Sequence, residues 1–192
     1  MLALVLVAPQ FYAQNTVELT GKKRAEVVTE LESKTKAVKS FTGRFRQTRT
    51  TTLLKESIVS SGKISFQRDG VIRWEYEKPL AKVIEINGTT VSVDGVGNGK
   101  SRMAKGIAGM VSEMLQDGKV ADEKTFDFKL YDDGKTYQLR AKPKRRDMQR
   151  MMAAVDINFS QSDCTVQKIV VTEKDGNNTV IEFFDMKVSR TP

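Results

Sequence analysis

The sequence predicts an α+β chain, mostly β, folded as an incomplete, half-open antiparallel β-barrel covered by an N-terminal helix and a central lid helix. Three observations lead there. From residue 41 onward, short runs alternate apolar and polar side chains and break at Asp, Gly and Asn turns, the two-residue period of half-buried strands. Only residues 18–39 and 101–117 hold helical spacing. Strands of one meander share an apolar face, and with two helices as the available cover that face has to wrap over them. A closed barrel would bury its own interior and leave the central helix with no surface to cover.

Taken in order, the elements begin with MLALVLVAP, an apolar run too short to span a bilayer, followed by FYAQ and polar sequence. This resembles the core and cleavage zone of a secretory signal, so residues 1–14 are expected to be a signal peptide with a truncated basic segment and 15–192 a single domain; a buried N-terminal strand is the alternative. Val27, Val28, Leu31, Thr35 and Val38 share one face of the first helix. Phe41, Gly43 and Phe45 then alternate with Thr42, Arg44 and Arg46. Ile64 and Phe66 alternate with Lys63, Ser65 and Gln67, Arg68-Asp69-Gly70 turns the chain, and Ile72, Trp74 and Tyr76 alternate with Arg73, Glu75 and Glu77. Pro79 ends that strand, and 82–87 pairs with 90–94 around Asn87-Gly88, the strongest short hairpin signal in the chain. In the central helix Met103, Ile107, Met110, Val111, Met114 and Leu115 share a face, while Gly106 and Gly109 weaken it by about 1 kcal/mol each. Phe126, Phe128 and Leu130 answer Tyr137, Leu139 and Ala141 across Asp132-Asp133-Gly134, and 153–160, 165–173 and 178–188 supply three more strands.

The chain is poor in catalytic material. With 192 residues, 39% apolar and 29% charged, it has the composition of one soluble domain. It contains no histidine, so the commonest general base and metal ligand are both missing. Its one cysteine, Cys164, has neither a disulfide partner nor a histidine to activate it, and reads as a small half-buried strand residue. Gly95, Gly97 and Gly99 alternate without completing a phosphate-binding pattern. No catalytic residue, metal or cofactor is expected, and the chain does not read as an enzyme.

A net charge of +8 favours anionic partners. Lys22-Lys23-Arg24 opens the first helix and KPKRRDMQR at 142–150 reads as a hairpin tip. Solvated loops come first for both, an electrostatic contact with a membrane or partner second. Nucleic acid comes last, because neither cluster is interleaved with aromatics. The methionine stripe has two readings as well: core filling first, a soft adaptable apolar surface second.

Several segments in order resemble the LolA family of periplasmic lipoprotein carriers: VKSFTGRFRQT, SGKISFQRDGVIRWEY, KPLAKVIEINGTTVSVDG, and, further on, INFSQ with DGNNTVIEFFDMKV. About two-thirds of the chain takes part. The resemblance implies an incomplete barrel with a helical lid over a hydrophobic cavity that receives lipoprotein acyl chains. It implies a periplasmic monomer, loaded by an inner-membrane lipoprotein-releasing transporter and unloading to an outer-membrane acceptor, with no nucleic acid involved. Arg68 matches the family arginine that ties lid to barrel, and Trp74 the family's strand tryptophan. The expected acyl-chain cavity and lid are thus Phe45, Ile64, Phe66, Arg68, Ile72, Trp74, Tyr76, Ile107, Met110 and Met114. Asp69 stands where the family usually has proline, and the chain stops at Pro192 without the further segment of some members. The alternative reading is a LolA-like envelope module, or a carrier of another lipid or lipid-linked ligand, without lipoprotein transfer.

Overall fold

The computed structural model describes residues 16–52, 57–88, 90–94, 96–97, 111–121 and 123–191. The N-terminal apolar run and Met103, Ile107 and Met110 lie outside them.

Twelve strands form one antiparallel sheet: β1 (Val17–Leu19), β2 (Val38–Thr50), β3 (Ile58–Gln67), β4 (Ile72–Lys78), β5 (Lys82–Asn87), β6 (Thr90–Val93), β7 (Val96–Gly97), β8 (Phe126–Asp132), β9 (Thr136–Pro143), β10 (Met152–Ser160), β11 (Val166–Glu173) and β12 (Asn178–Arg190). Their spatial order is β1-β8-β9-β10-β11-β12-β2-β3-β4-β5-β6-β7, and the outermost strands do not pair, so the sheet stays open. Among the described residues three helices accompany it: α1 (Gly21–Lys36), α2 (residues 111–117) and α3 (Arg146–Gln149). β7 is one edge of the sheet and β8 lies beside the other, and α2 lies between them in the chain.

Alternation decides which face is covered. Phe128, Leu130, Leu139, Ala141, Val155, Ile157 and Phe159 point inward and pack with Val27 and Leu31 of α1. Phe45, Ile64, Phe66, Ile72, Trp74 and Tyr76 point inward from the other half and pack with Val111 and Leu115 of α2. Met114, on the same helix, joins the first cluster, so α2 is wedged between the two halves. Gly118 ends it with a left-handed φ of 72°, and its missing side chain lets the turn rest against Glu32 and Lys36 of α1, where a Cβ would come within 2.7 Å of the Lys36 Cβ. β12 breaks register with β2 between Phe184 and Lys187, with Asp185 at φ 53°, the irregularity at which a strand bends.

Three local expectations are corrected. Helix was expected from residue 18, but Val17–Leu19 pairs as β1 and places Leu19 opposite Leu130. Extended Thr20 and Gly21 at φ 53° separate that strand from α1, and Val38, expected on the helix, opens β2. Cys164 is in the turn before β11 rather than in a strand, buried at φ 57°. The 142–150 run is more than a hairpin tip: Lys142 and Pro143 finish β9, and α3 makes one helical turn before β10.

Gly62 shows how closely the inner face is packed. It stands between Phe45 and Tyr76 in the ladder, whose rings meet edge to face at 4.9 Å. A Cβ at this position would run into the Glu75 carbonyl. Gly62→Ala is therefore expected to lower unfolding stability by about 1–3 kcal/mol, read as a fall in the urea midpoint. An unchanged midpoint would mean that β3 and β4 have more slack than this register allows.

Candidate apolar binding site

The largest aromatic side chains of the inner face converge on one place. Trp74 meets Phe45 edge-on at 5.9 Å and faces Phe183 of β12 at 6.1 Å, while Phe41 and Phe66 lie 5.4 Å apart. Beside them is an apolar cavity of about 70 Å³. Its walls come from β2, β3, β4, β11 and β12, with Val111, Met114 and Leu115 of α2 over it and Thr35 of α1 at one side. Ligand pockets for small molecules run roughly 300–1,000 Å³. At about 70 Å³ this one is too small to take a chain of methylenes as it stands.

Arg68, at the end of β3, ties α1 and α2 to the sheet beside this cavity. Its guanidinium donates to four backbone carbonyls: Nη1 to Gln116 at 2.8 Å, Nη2 to Lys36 at 2.7 Å and to Thr35 at 3.5 Å, and Nε and Nη2 to Val38 at 2.9 and 2.6 Å. Gln116 is in the last turn of α2 and Lys36 is the last residue of α1, so two helix C-termini end on one cation. The final carbonyls of a helix have no partner within it and carry the negative end of its dipole. A planar five-donor guanidinium serves several of them at once. Gln116 adds a second tie, its amide nitrogen donating to the Gly70 carbonyl and its amide oxygen accepting from the Asp69 N–H, both at 3.4 Å.

Of the residues expected at the site, Ile64, Ile72, Trp74 and Met114 line the cavity. Phe45, Phe66 and Tyr76 lie in the same apolar cluster but behind the lining, Phe45 fully buried. Tyr76 donates to Gln47 Oε1 at 2.9 Å, and burial pushes its phenol up. Arg68 stands at the rim, while Ile107 and Met110 lie outside the described residues. Sequence reasoning missed Phe41, Phe183, Met186 and Val188, which form the wall supplied by β2 and β12. The last strand's alternating apolar residues were the signal for three of them, but the shift at Asp185 hides which ones face in. Two polar groups adjoin this wall. The Trp74 indole N–H is buried without a hydrogen-bond partner among the described residues, and burial pushes the Cys164 thiol up, with Glu30 adding to the shift.

The family model for the outer membrane lipoprotein carrier protein LolA matches residues 36–192. An outer-membrane lipoprotein carrier protein of Chromobacterium violaceum is 29% identical over 170 residues, 86% of this chain and 79% of the relative. Among solved structures, a LolA-superfamily protein from Nitrosomonas europaea matches at TM-score 0.42 and 11% identity, covering 86% of this chain and 94% of the other. MucB, from the MucA/MucB complex of Pseudomonas aeruginosa, matches at TM-score 0.46 and 13% identity, the match covering 88% of this chain and 58% of MucB.

Cys164 lines the cavity and is buried, so its modification reads out opening. Losing the Arg68 hydrogen bonds removes about 1.5 kcal/mol or more of closing free energy. Arg68→Leu is expected to speed modification of Cys164 by a neutral thiol reagent about tenfold or more. An unchanged rate would show that Arg68 does not hold the cavity shut.

Proposed function

Because the chain belongs to the LolA family of outer membrane lipoprotein carriers, a family of carriers rather than enzymes, we propose that it is a periplasmic shuttle. In this reading it takes the acyl chains of lipoproteins into the cavity beneath α2 and moves them from the inner to the outer membrane. An inner-membrane lipoprotein-releasing transporter loads it, and an outer-membrane acceptor receives the cargo.

The observation that carries the reading is the coincidence of an apolar cavity with a helix that both covers it and is held at its end by a few polar ties, those of Arg68 and Gln116. An acyl chain kept from water gains about 0.8 kcal/mol per methylene, so cargo with several chains needs shelter to cross an aqueous space. Such cargo would also never leave a rigid, complementary pocket. A carrier whose empty state is closed avoids this, because part of the gain on binding is offset by the Arg68 bonds and the α2 packing that have to be given up. Release then restores both. Val111, Met114 and Leu115 would exchange contact with the sheet for contact with the acyl chains, and Met114 suits this because an unbranched thioether side chain adapts to many shapes. The buried indole N–H of Trp74 offers a donor to an ester or amide carbonyl of the acyl group.

Trp74 is the only tryptophan, so its emission belongs to the site alone. A lipopeptide with brominated acyl chains is expected to quench it, and its unbrominated counterpart to compete the quenching away. Met114→Asp places a carboxylate on the cavity wall and is expected to weaken that binding by tenfold or more, with Met114→Leu retaining it. Quenching that survives Met114→Asp in a folded protein, or lipopeptide binding without quenching, would place the acyl chains elsewhere and overturn the reading.

A further inference from the structure

The face of the sheet away from the cavity carries a second concavity. Arg140 of β9 and Asp156 of β10 stand opposite each other there and form a two-point ion pair, Nε to Oδ1 at 2.6 Å and Nη2 to Oδ2 at 3.1 Å. They adjoin an open groove of about 920 Å³ floored by Ala153, Ala154 and Thr172. Around it stand Lys142, Arg146, Arg150 and Lys174. Among the described residues none of these four makes an ion pair, and all four are exposed. The one acid lining the groove is already neutralised by Arg140, so four cations stand unbalanced around a groove. Like charges lining one concavity reinforce one another's potential within it.

A second feature points the same way along the strands. The pairings Ser61 with Lys78, Arg49 with Ile58, Thr50 with Asn178 and Met152 with Glu173 bring the β4–β5 turn, the β11–β12 turn and α3 to one end of the sheet. In the β4–β5 turn Leu80 is 78% exposed, the most exposed large apolar residue described, with Lys78 and Lys82 on either side. The Arg68 clasp is at the opposite end, where β3 stops and β2 starts. A lone leucine flanked by lysines suits a lipid interface, where the apolar side chain enters and the long cationic ones reach back to the headgroups. An acidic peptide would satisfy the groove and leave Leu80 unexplained.

We propose that this end of the molecule docks on an anionic membrane surface, with lipid phosphates seated in the groove between α3 and β10 and Leu80 entering the interface. The cavity end is left free while the protein is on the membrane. The proposal is independent of what the cavity carries.

The test is co-sedimentation with phosphatidylcholine vesicles with and without phosphatidylglycerol. Binding is expected only to the anionic vesicles and should weaken as salt is raised. At about fivefold per cation, Arg146→Gln, Arg150→Gln and Lys174→Gln together should weaken binding about a hundredfold. These exposed substitutions should leave Trp74 quenching by brominated lipopeptide unchanged, which separates this proposal from the carrier reading. Leu80→Ser is expected to weaken binding several-fold at an unchanged salt dependence. Equal binding to neutral vesicles, or wild-type binding by the triple variant, would overturn the proposal. So would binding to polyglutamate by a protein that ignores both kinds of vesicle.

Discussion

Two helix C-termini and the start of a strand end on one guanidinium, and the packing of α1 and α2 against the sheet is anchored at that meeting. Arg68 reaches the carbonyls of Lys36, Val38 and Gln116 from the β3–β4 turn, so it ties both helices to the strand pair β2–β3 that the ladder already joins. Each helix supplies carbonyls that would otherwise go unpaired, and the cation complements both dipoles together. The contact is local and polar, whereas what it restrains is extended and apolar. Loss of a few hydrogen bonds can therefore release a much larger surface.

That surface exists because the sheet does not close. A closed barrel would satisfy its interior with its own side chains; here the described strands stop at β1 and β7, and α2 packs between the two halves. A helical cover makes no strand pairing of its own. The packing divides accordingly. α1 sits on the β8–β10 half among fully buried residues such as Leu31, Leu130 and Phe159. α2 lies between the halves and touches the cavity directly through Val111, Met114 and Leu115. A half covered by α1 and a half covered by α2 follow from the same topology, and the apolar cavity lies in the second.

Most of this architecture was legible because period-two alternation over β2–β6 and β8–β9 leaves no ambiguity about which side chains share a face. Asn87-Gly88 likewise marked its hairpin, seen as β5 and β6. Legibility failed where the period itself broke. In β12 the register shift around Asp185 puts Phe183 and Met186 on the same side although they are three residues apart, so no two-residue rule finds both. Val17–Leu19 was too short to stand out from the helix that follows, and its strand character depends on Leu130 across the sheet. The role of Arg68 could not be read from its neighbours in sequence, where a turn arginine is by default solvated. Its partners lie some thirty to fifty residues away, on elements brought together only by the fold.

The central claim is that the closed cavity opens to hold acyl chains, and native mass spectrometry of the protein isolated without detergent from its own cell envelope tests it most directly. The expected spectrum contains, beside the empty chain, complexes heavier by the mass of acylated polypeptides, which dissociate when Met114 is replaced by Asp in a protein that remains folded. A spectrum with only the empty chain, from a protein that also fails to keep an added triacylated lipoprotein in solution, would contradict the claim and leave the half-barrel without a carrier role.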